Sequence, residues 1–443
     1  MFLEVKEKFL QSIEHAWKSL SLQEKKIISG LEIHKIPAYL GYRRSFREGL
    51  NRKDYKNKPL FALLEVASAC NIKCPFCFQS DPTFTTKEFM GVIDTNLAFK
   101  IIDQIDEMKI RGLTIASRGE PLLCKDLDKI LSHIKTKRNI LEVKINTNAK
   151  RLTEEKLKML INSPINILVV STDHYKKDLY EKYRHGSNFE NFISNIKRIK
   201  EQIIKYKRVN NLYTRASGVA VDKEMDLKEY DSFYSKYFDE SGTVKMSERW
   251  DTYNNEIYQD DLRPCGLPFE KLYIWYEGTT NPCDTDYKSY LSPGNIKNSS
   301  LKECWNNLST LREAMLKGKR QDYIPCDRCY VAWLMHILFF GYGSHAKNIK
   351  SCCDKYLISN EETIYSGIKR SNIKTDINIF KSIDEALLNN GTIDCVFITA
   401  NNSYHLEIFK TCIEKKIQFI YVEKPAIGVE EFFENYPNHL KKE

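Results

Sequence analysis

At 443 residues, with 42% hydrophobic and 29% charged residues, the chain is too long for one ordinary core and too apolar to be disordered. Its formal charge of +9 is spread over many lysines without a basic block, which reads as a solvated surface, and no nucleic-acid-binding motif accompanies it. The longest apolar stretch, Val331 to Phe340, is interrupted by His336 and is too short to span a bilayer, and the N-terminus Met1-Phe2-Leu3-Glu4 has no apolar secretory core. A cytoplasmic protein with neither membrane nor nucleic acid as partner is expected.

Residues 1–59 read as amphipathic helices followed by a basic connector, Tyr42-Arg43-Arg44-Ser45-Phe46-Arg47. From Pro59 short apolar runs alternate with Lys/Glu-rich helical stretches. Strands are predicted at Phe61–Val66, Gly112–Ala116, Leu141–Asn146, Ile165–Ser171 and Thr214–Val221, and helices at Leu97–Met108, Leu127–Lys135, Glu154–Ile161 and Phe189–Ile204. That alternation predicts parallel βα units, in a barrel or an open sheet, with catalytic groups at the carboxyl ends of the strands. The rhythm stops near Trp250. Residues 261–330 are rich in Pro, Gly, Asn, Asp and Cys, with helical periodicity only at Leu301–Leu316, and a metal centre would hold such a segment without a large core. Beyond Tyr330 strands return at Met335–Phe340, Cys395–Thr399 and Ile417–Val422.

Thirteen cysteines in a chain without an export signal point to thiols or metal sites, not to a disulfide framework. Cys70, Cys74 and Cys77 fall within eight residues directly after the first strand. Four cysteines close a cluster; three leave one iron open to a ligand. A zinc knuckle completed by a distant His or Cys is the competing reading of the same spacing.

The C-x3-C-x2-C loop after a first strand, with Phe76 before the last Cys, resembles the radical S-adenosylmethionine (SAM) superfamily. The resemblance implies a [4Fe–4S] cluster whose open iron binds SAM, reductive cleavage to a 5′-deoxyadenosyl radical, and an electron donor such as flavodoxin or ferredoxin. Further positions match in order. Ser117-Arg118-Gly119-Glu120-Pro121 is similar to the G-G-E-P turn at the SAM amino group, with Arg118 in place of the first Gly. Asn146-Thr147-Asn148 resembles an element near the adenosyl group. Ser171-Thr172-Asp173 resembles the S-x-D element beside the SAM ribose, and Tyr183-Arg184-His185-Gly186 a segment whose Arg approaches SAM. Gly119, Glu120, Pro121, Asn148, Ser171, Asp173 and Arg184 are thereby the candidate SAM-binding residues.

Twelve residues separate Cys265 from Gly278 and four separate Gly278 from Cys283; Cys326-Asp327-Arg328-Cys329 comes after the segment containing Trp305. This resembles the SPASM/twitch extension, which implies one auxiliary [4Fe–4S] cluster ligated by Cys265, Cys283, Cys326 and Cys329. A closed four-thiolate site suits electron transfer, and a structural zinc site suits the same sulfurs. The remaining cysteines read as buried free thiols.

Gly341-Tyr342-Gly343-Ser344-His345-Ala346 is a G-x-G-x-x-A turn between a strand and a helix. With Cys395–His405 and Glu423-Lys424-Pro425 it resembles the nucleotide-binding half of the Gfo/Idh/MocA oxidoreductases, which implies NAD(P) at Gly341 and Gly343 with Lys424 at the nicotinamide. No acidic residue follows Ile364-Tyr365-Ser366-Gly367, whereas Lys369 and Arg370 suit a 2′-phosphate, so NADP is preferred. The chain ends at Glu443, soon after Lys424, so the family's substrate-binding domain is expected to be missing.

The fold class is therefore α/β: an N-terminal helical segment (1–59), a partial (β/α) TIM-like barrel (60–260), a small Cys-rich iron–sulfur extension (261–334) and an incomplete Rossmann-like domain (335–443). The function expected is hydrogen abstraction from a sugar, cyclitol or peptide. The competing classes are an NAD(P)-dependent sugar oxidoreductase-like protein with structural cysteines, and a zinc-stabilised scaffold.

Overall fold

The structure is a computed structural model that describes residues 17–18, 20–49, 52–222, 224–246, 251–257, 265–329, 335–356, 363–368, 377–390, 393, 395–400, 402–415, 417 and 419–423. The chain divides into two compact units, one of residues 1–48, 52–256 and 267–309, the other of residues 49–51, 257–266 and 310–443.

The first unit is built on a nine-stranded sheet in the order β6-β5-β4-β3-β2-β1-β7-β8-β9. β1 (Phe61–Leu64), β2 (Gly112–Ile115), β3 (Glu142–Thr147), β4 (Ile167–Ser171), β5 (Tyr213–Ala220) and β6 (Glu240–Lys245) pair in parallel, each with the next. Strands such as β2 and β4 are buried almost throughout because helices cover one face and side chains fill the other. The crossover helices bury apolar positions three and four apart. In α4 (Leu127–Lys135) these are Leu127, Ile130, Leu131 and Ile134; α3 (Thr95–Glu107), α5 (Glu154–Asn162), α6 (Phe189–Lys205) and α7 (Leu227–Tyr234) follow the same rule. Side chains start four of them: Asp94, Thr153, Asn188 and Asp226 each accept from a first-turn amide. This is the expected partial (β/α) barrel, with six parallel strands in sequential order.

Beyond Trp250, where regular alternation was expected to end, the Cys-rich segment extends the same sheet. β7 (Lys271–Ile274) pairs in parallel with the free edge of β1, and β8 (Thr279–Asn281) and β9 (Gly294–Asn295) continue antiparallel. β6, Glu-Ser-Gly-Thr-Val-Lys, was also not expected as a strand; it is a polar edge strand with no apolar run to mark it.

The basic connector expected at 42–47 is helix. α2 (Ile36–Glu48) runs through it, because Tyr39, Tyr42 and Phe46 fall on one face while Arg43 and Arg47 reach Glu24 at 3.2 and 3.0 Å. α1 (Leu22–Gly30) opens with a reciprocal Ser21/Glu24 capping box. Ile27, Ile28, Tyr39 and Tyr42 pack with Leu60, Leu141, Ile167, Val169 and Tyr213, which sit in or beside the amino-terminal halves of β1, β3, β4 and β5. The helices thus floor the barrel, and Tyr39 and Tyr42 each donate to Glu142 at 3.1 Å. The helix expected over Leu301–Leu316 is two, α8 (Leu301–Asn307) and α9 (Ser309–Leu316), the first opened by a Ser300/Glu303 capping box.

The second unit carries a five-stranded parallel sheet, β12-β11-β10-β13-β14, from β10 (Met335–Phe340), β11 (Thr363–Ile368), β12 (Asn378–Phe380), β13 (Cys395–Ile398) and β14 (Phe419–Val422). The period-two alternation of β10 sends Ile337 and Phe339 to a cluster with Tyr342 and Ala346, and Leu338 to one with Val396, Ile398, Phe409 and Cys412. All four pairings are parallel, with β10 central and the strand order reversing between β10 and β13. Among the described residues no helix is long and apolar enough to cross a membrane.

Candidate functional site

The carboxyl ends of the first unit's strands surround a cavity of about 400 Å³. Cys70, Cys74, Cys77, Gly119, Glu120, Asn148, Ser171, Asp173 and Arg184, all predicted from sequence, line it. Pro121 does not: it is buried at the start of a 3₁₀ turn and shapes the turn from behind.

The cysteine loop folds on its own backbone, with Cys77 N–H donating to Cys74 O at 3.0 Å and Ser80 Oγ to the same carbonyl at 2.9 Å. The buried Gln79 amide donates to Ser68 O and Arg118 O, tying the loop to the turn after β2. That turn lies so close that a Cβ on Gly119 would stand 2.4 Å from Ala67 O and 2.5 Å from Ala69 O, and Glu120 N–H donates to Ala69 O at 2.9 Å. Glycine is needed here for close backbone approach. On the other flank Lys73 N–H donates to His185 O at 2.9 Å, and Lys150 Nζ reaches Asn71 O at 3.0 Å. The Asn148 amide donates to Asn71 Oδ1 at 2.8 Å, with its nitrogen 3.7 Å from Cys70 Sγ.

Glu120, in the cavity lining, is also held by donors from the protein. Its Oε1 accepts from Thr147 Oγ1 at 2.7 Å and Leu122 N–H at 3.0 Å, and its Oε2 from Asn148 N–H at 2.8 Å. Burial pushes its carboxyl up, with Thr147 and the two amides pulling back. Asp173 has φ +51°, a conformation that Asp tolerates better than most residues, and this turns Oδ1 onto Val219 N–H at 2.8 Å. Its Oδ2 lies 2.9 Å from Arg184 Nε in a buried ion pair. Burial would discharge Arg184, but Asp173 and the thiols of Cys74 and Cys70 hold it above its ordinary range. Burial likewise pushes Cys70 and Cys74 up, with Arg184 drawing both down toward thiolate.

Four roles had no sequence signal, because they exist only once the loops meet. Ser117 Oγ and Asn146 Oδ1 are buried with no hydrogen-bond partner in residues that line the cavity. Asp284, accepting from Tyr273 OH at 3.1 Å, brings a carboxylate from the Cys-rich segment into the lining. Glu65 holds Arg118 from below through two oxygens. Among the described residues no three His, Cys, Asp or Glu stand close enough together to mark a metal ion, which favours neither zinc nor iron. Three cysteines outside any disulfide, beside a buried cation and two unsatisfied polar atoms, fit a polynuclear cluster with a polar ligand on its open side.

In the Cys-rich segment Cys265 and Cys283 are buried and Cys326 and Cys329 half-buried, none of them in a disulfide. The last two bracket a 3₁₀ turn, and the Arg320 guanidinium donates to both of their carbonyls. In the second unit Gly341 has φ +86°, and a Cβ there would meet Ala400 Cα and Thr399 O at 2.8 Å; nothing stands near Gly343. Lys369, Arg370 and Lys424 lie outside the described residues.

Residues 64–214 match the radical SAM superfamily, and residues 265–330 match the SPASM iron–sulfur cluster-binding domain. GTP 3′,8-cyclase of Lactiplantibacillus plantarum is 28% identical over 161 residues, 34% of this chain and 47% of that protein, so the match spans about half of that relative's length. The S-adenosyl-L-methionine-dependent 2-deoxy-scyllo-inosamine dehydrogenase of Niallia circulans is 24% identical over 280 residues, 61% of this chain and 93% of that protein. The crystal structure of Streptococcus suis SuiB bound to precursor peptide SuiA aligns with 68% of this chain and 81% of its own at 14% identity and a TM-score of 0.48.

Proposed function

We propose that this chain, a member of the radical SAM superfamily with an iron–sulfur cluster-binding extension, abstracts a hydrogen atom from a cyclitol, sugar or peptide substrate. The observation that carries the reading is the convergence of Cys70, Cys74 and Cys77 with the unsatisfied Ser117 Oγ and Asn146 Oδ1 on one cavity at the strand ends. A [4Fe–4S] cluster with bound SAM supplies, on reduction, the 5′-deoxyadenosyl radical that removes the hydrogen.

The protein's own part is to place and shield. Cys70, Cys74 and Cys77 hold the cluster, with Arg184 balancing thiolate charge. Ser117 and Asn146 offer hydrogen bonds to the polar portions of SAM, while Gly119 and Glu120 fix the turn against the cysteine loop. Asn148 orients Asn71 beside Cys70. Ser171, the Asp173–Arg184 pair, Val219 and Val244 complete the lining. Cys265, Cys283, Cys326 and Cys329 are the proposed ligands of an auxiliary [4Fe–4S] cluster. The substrate classes follow the two relatives named for a cyclitol and a peptide, and flavodoxin or ferredoxin is the proposed electron source.

Anaerobic reconstitution tests this. About eight irons per chain, with 5′-deoxyadenosine released from SAM under reductant, are expected. About four irons and no deoxyadenosine are expected after Cys70, Cys74 and Cys77 are all changed to Ala. Zinc in place of iron, with SAM left intact, refutes the reading.

A second reading concerns the second unit alone. Gly341 turns tightly after β10, beside the β10/β13 boundary where the strand order reverses, the place where such sheets bind dinucleotides. NADP binding at Gly341 and Gly343 with Lys424 is proposed on that ground, and quenching of NADPH fluorescence by the full chain but not by a Gly343→Glu variant tests it.

A further inference from the structure

Arg118 stands where the resembling turn has glycine, and its side chain is almost wholly buried. Its Nε and Nη2 form a fork on Glu65 Oε2 and Oε1 at 2.9 and 2.7 Å, and its own amide reaches Oε2 at 3.0 Å. The guanidinium lies 4.1 Å above the Trp275 ring, and Nη1 donates to Tyr287 O at 2.8 Å. Trp275 Nε1 donates to Ser289 Oγ at 2.6 Å and packs with Tyr273 and Cys283, and the Tyr273 hydroxyl holds Asp284. Tyr287 OH and Lys288 Nζ return to Asp81, just past the cysteine loop, at 2.7 and 2.9 Å. One buried cation therefore joins three parts of the cavity wall: the end of β1 that feeds the cysteine loop, the Ser117–Gly119 turn, and the loop bearing Cys283 and Asp284.

We propose that Arg118 is a positioning residue that sets the 283–291 loop against the SAM-facing turn. Its effect on SAM rests on the radical chemistry proposed above. The placement itself does not. A buried ion pair is a poor device for stability alone, since apolar groups of equal volume commonly serve as well or better. What apolar groups do not supply is the planar fork that fixes direction at Glu65 while the same group caps Tyr287 O and stacks on Trp275. Lysine keeps the charge and loses that geometry, so Arg118→Lys isolates it.

The experiment is hydrogen exchange on the full-length, cluster-reconstituted protein, with reductive SAM cleavage measured in parallel. In Arg118→Lys the amides of Lys288, Tyr290 and Leu291 should exchange at least tenfold faster, with β3 and β4 amides unchanged. The KM for SAM should rise about fivefold or more while kcat holds. Trp275→Phe, which loses the bond to Ser289 but keeps an aromatic in the core, should loosen the same amides and covers the case in which Arg118→Lys does not fold. Uniform loss of protection, or an unchanged loop and KM, overturns the proposal. A wild-type protein that cleaves no SAM sinks the radical reading instead, and the exchange result still decides whether Arg118 sets the loop.

Discussion

The Asn148 backbone N–H donates to Glu120 Oε2 at 2.8 Å, so the turn after β2 and the end of β3 form one hydrogen-bonded wall of the cavity. Glu120 is buried and accepts three donors from the protein, which makes it a brace. Glu120→Gln turns one acceptor into a donor facing an N–H or hydroxyl that must give. A loss of about 1–3 kcal/mol in unfolding free energy is expected, read from denaturant titration. A variant as stable as the wild type would mean that these bonds do not carry the wall.

Gly119 predicts a sharper effect. A methyl group there meets the backbone of Ala67, Ser68 and Ala69 at 2.4–2.5 Å, and backbone cannot swing aside as a side chain can. Overpacking of this kind costs about 1–3 kcal/mol or more, and the strain falls on the segment leading into Cys70. Gly119→Ala should reconstitute with about four irons, not eight, and give no deoxyadenosine. Full iron loading would show that the loop can retreat.

How much of this was legible in the sequence follows from what each element is made of. α4 matches its predicted span end to end because Ile130, Leu131 and Ile134 repeat at helical spacing between polar positions. The strands of the barrel were visible as apolar runs. β6 was not, because an edge strand can be polar, and β7 was not, because four residues beside Cys and Pro are too few for a period to show. The cysteine loop, Glu120, Asp173 and Arg184 were legible by order and spacing. Ser117, Asn146, Glu65 and Gln79 were not: a serine with an unsatisfied hydroxyl looks like any serine until the fold removes its partners. Arg118 was seen only as a departure from glycine, and its purpose needed Trp275 and Tyr287, far along the chain, to be placed beside it.

Ser117 and Asn146 allow stability and binding to be separated. Each holds a buried oxygen without a partner, a cost in the empty protein that a ligand donor would relieve. Ser117→Ala and Asn146→Ala should leave stability within about 0.5 kcal/mol of wild type. The KM for SAM should rise about five- to tenfold for each, as for one lost hydrogen bond. A fall in stability with KM unchanged would assign both to structure.

Asp286 gives the pH dependence a direction. It accepts from Tyr253 OH at 2.9 Å and from the amides of Tyr290 and Leu291 at 3.0 and 2.7 Å, fixing the loop that follows Cys283 and Asp284. Burial outweighs these donors and raises its carboxyl from the usual 3.8 to about 6. Between those two values the folded protein keeps a proton that the unfolded chain has released, so stability rises as the pH falls through 6 and levels off below 3.8. The gain between pH 7 and pH 5 is about 1 kcal/mol. Asp286→Asn keeps an oxygen for the donors and cannot titrate. The difference in unfolding free energy between pH 5 and pH 7 should shrink by that amount in the variant, and an equal difference in both proteins would place the buried proton elsewhere.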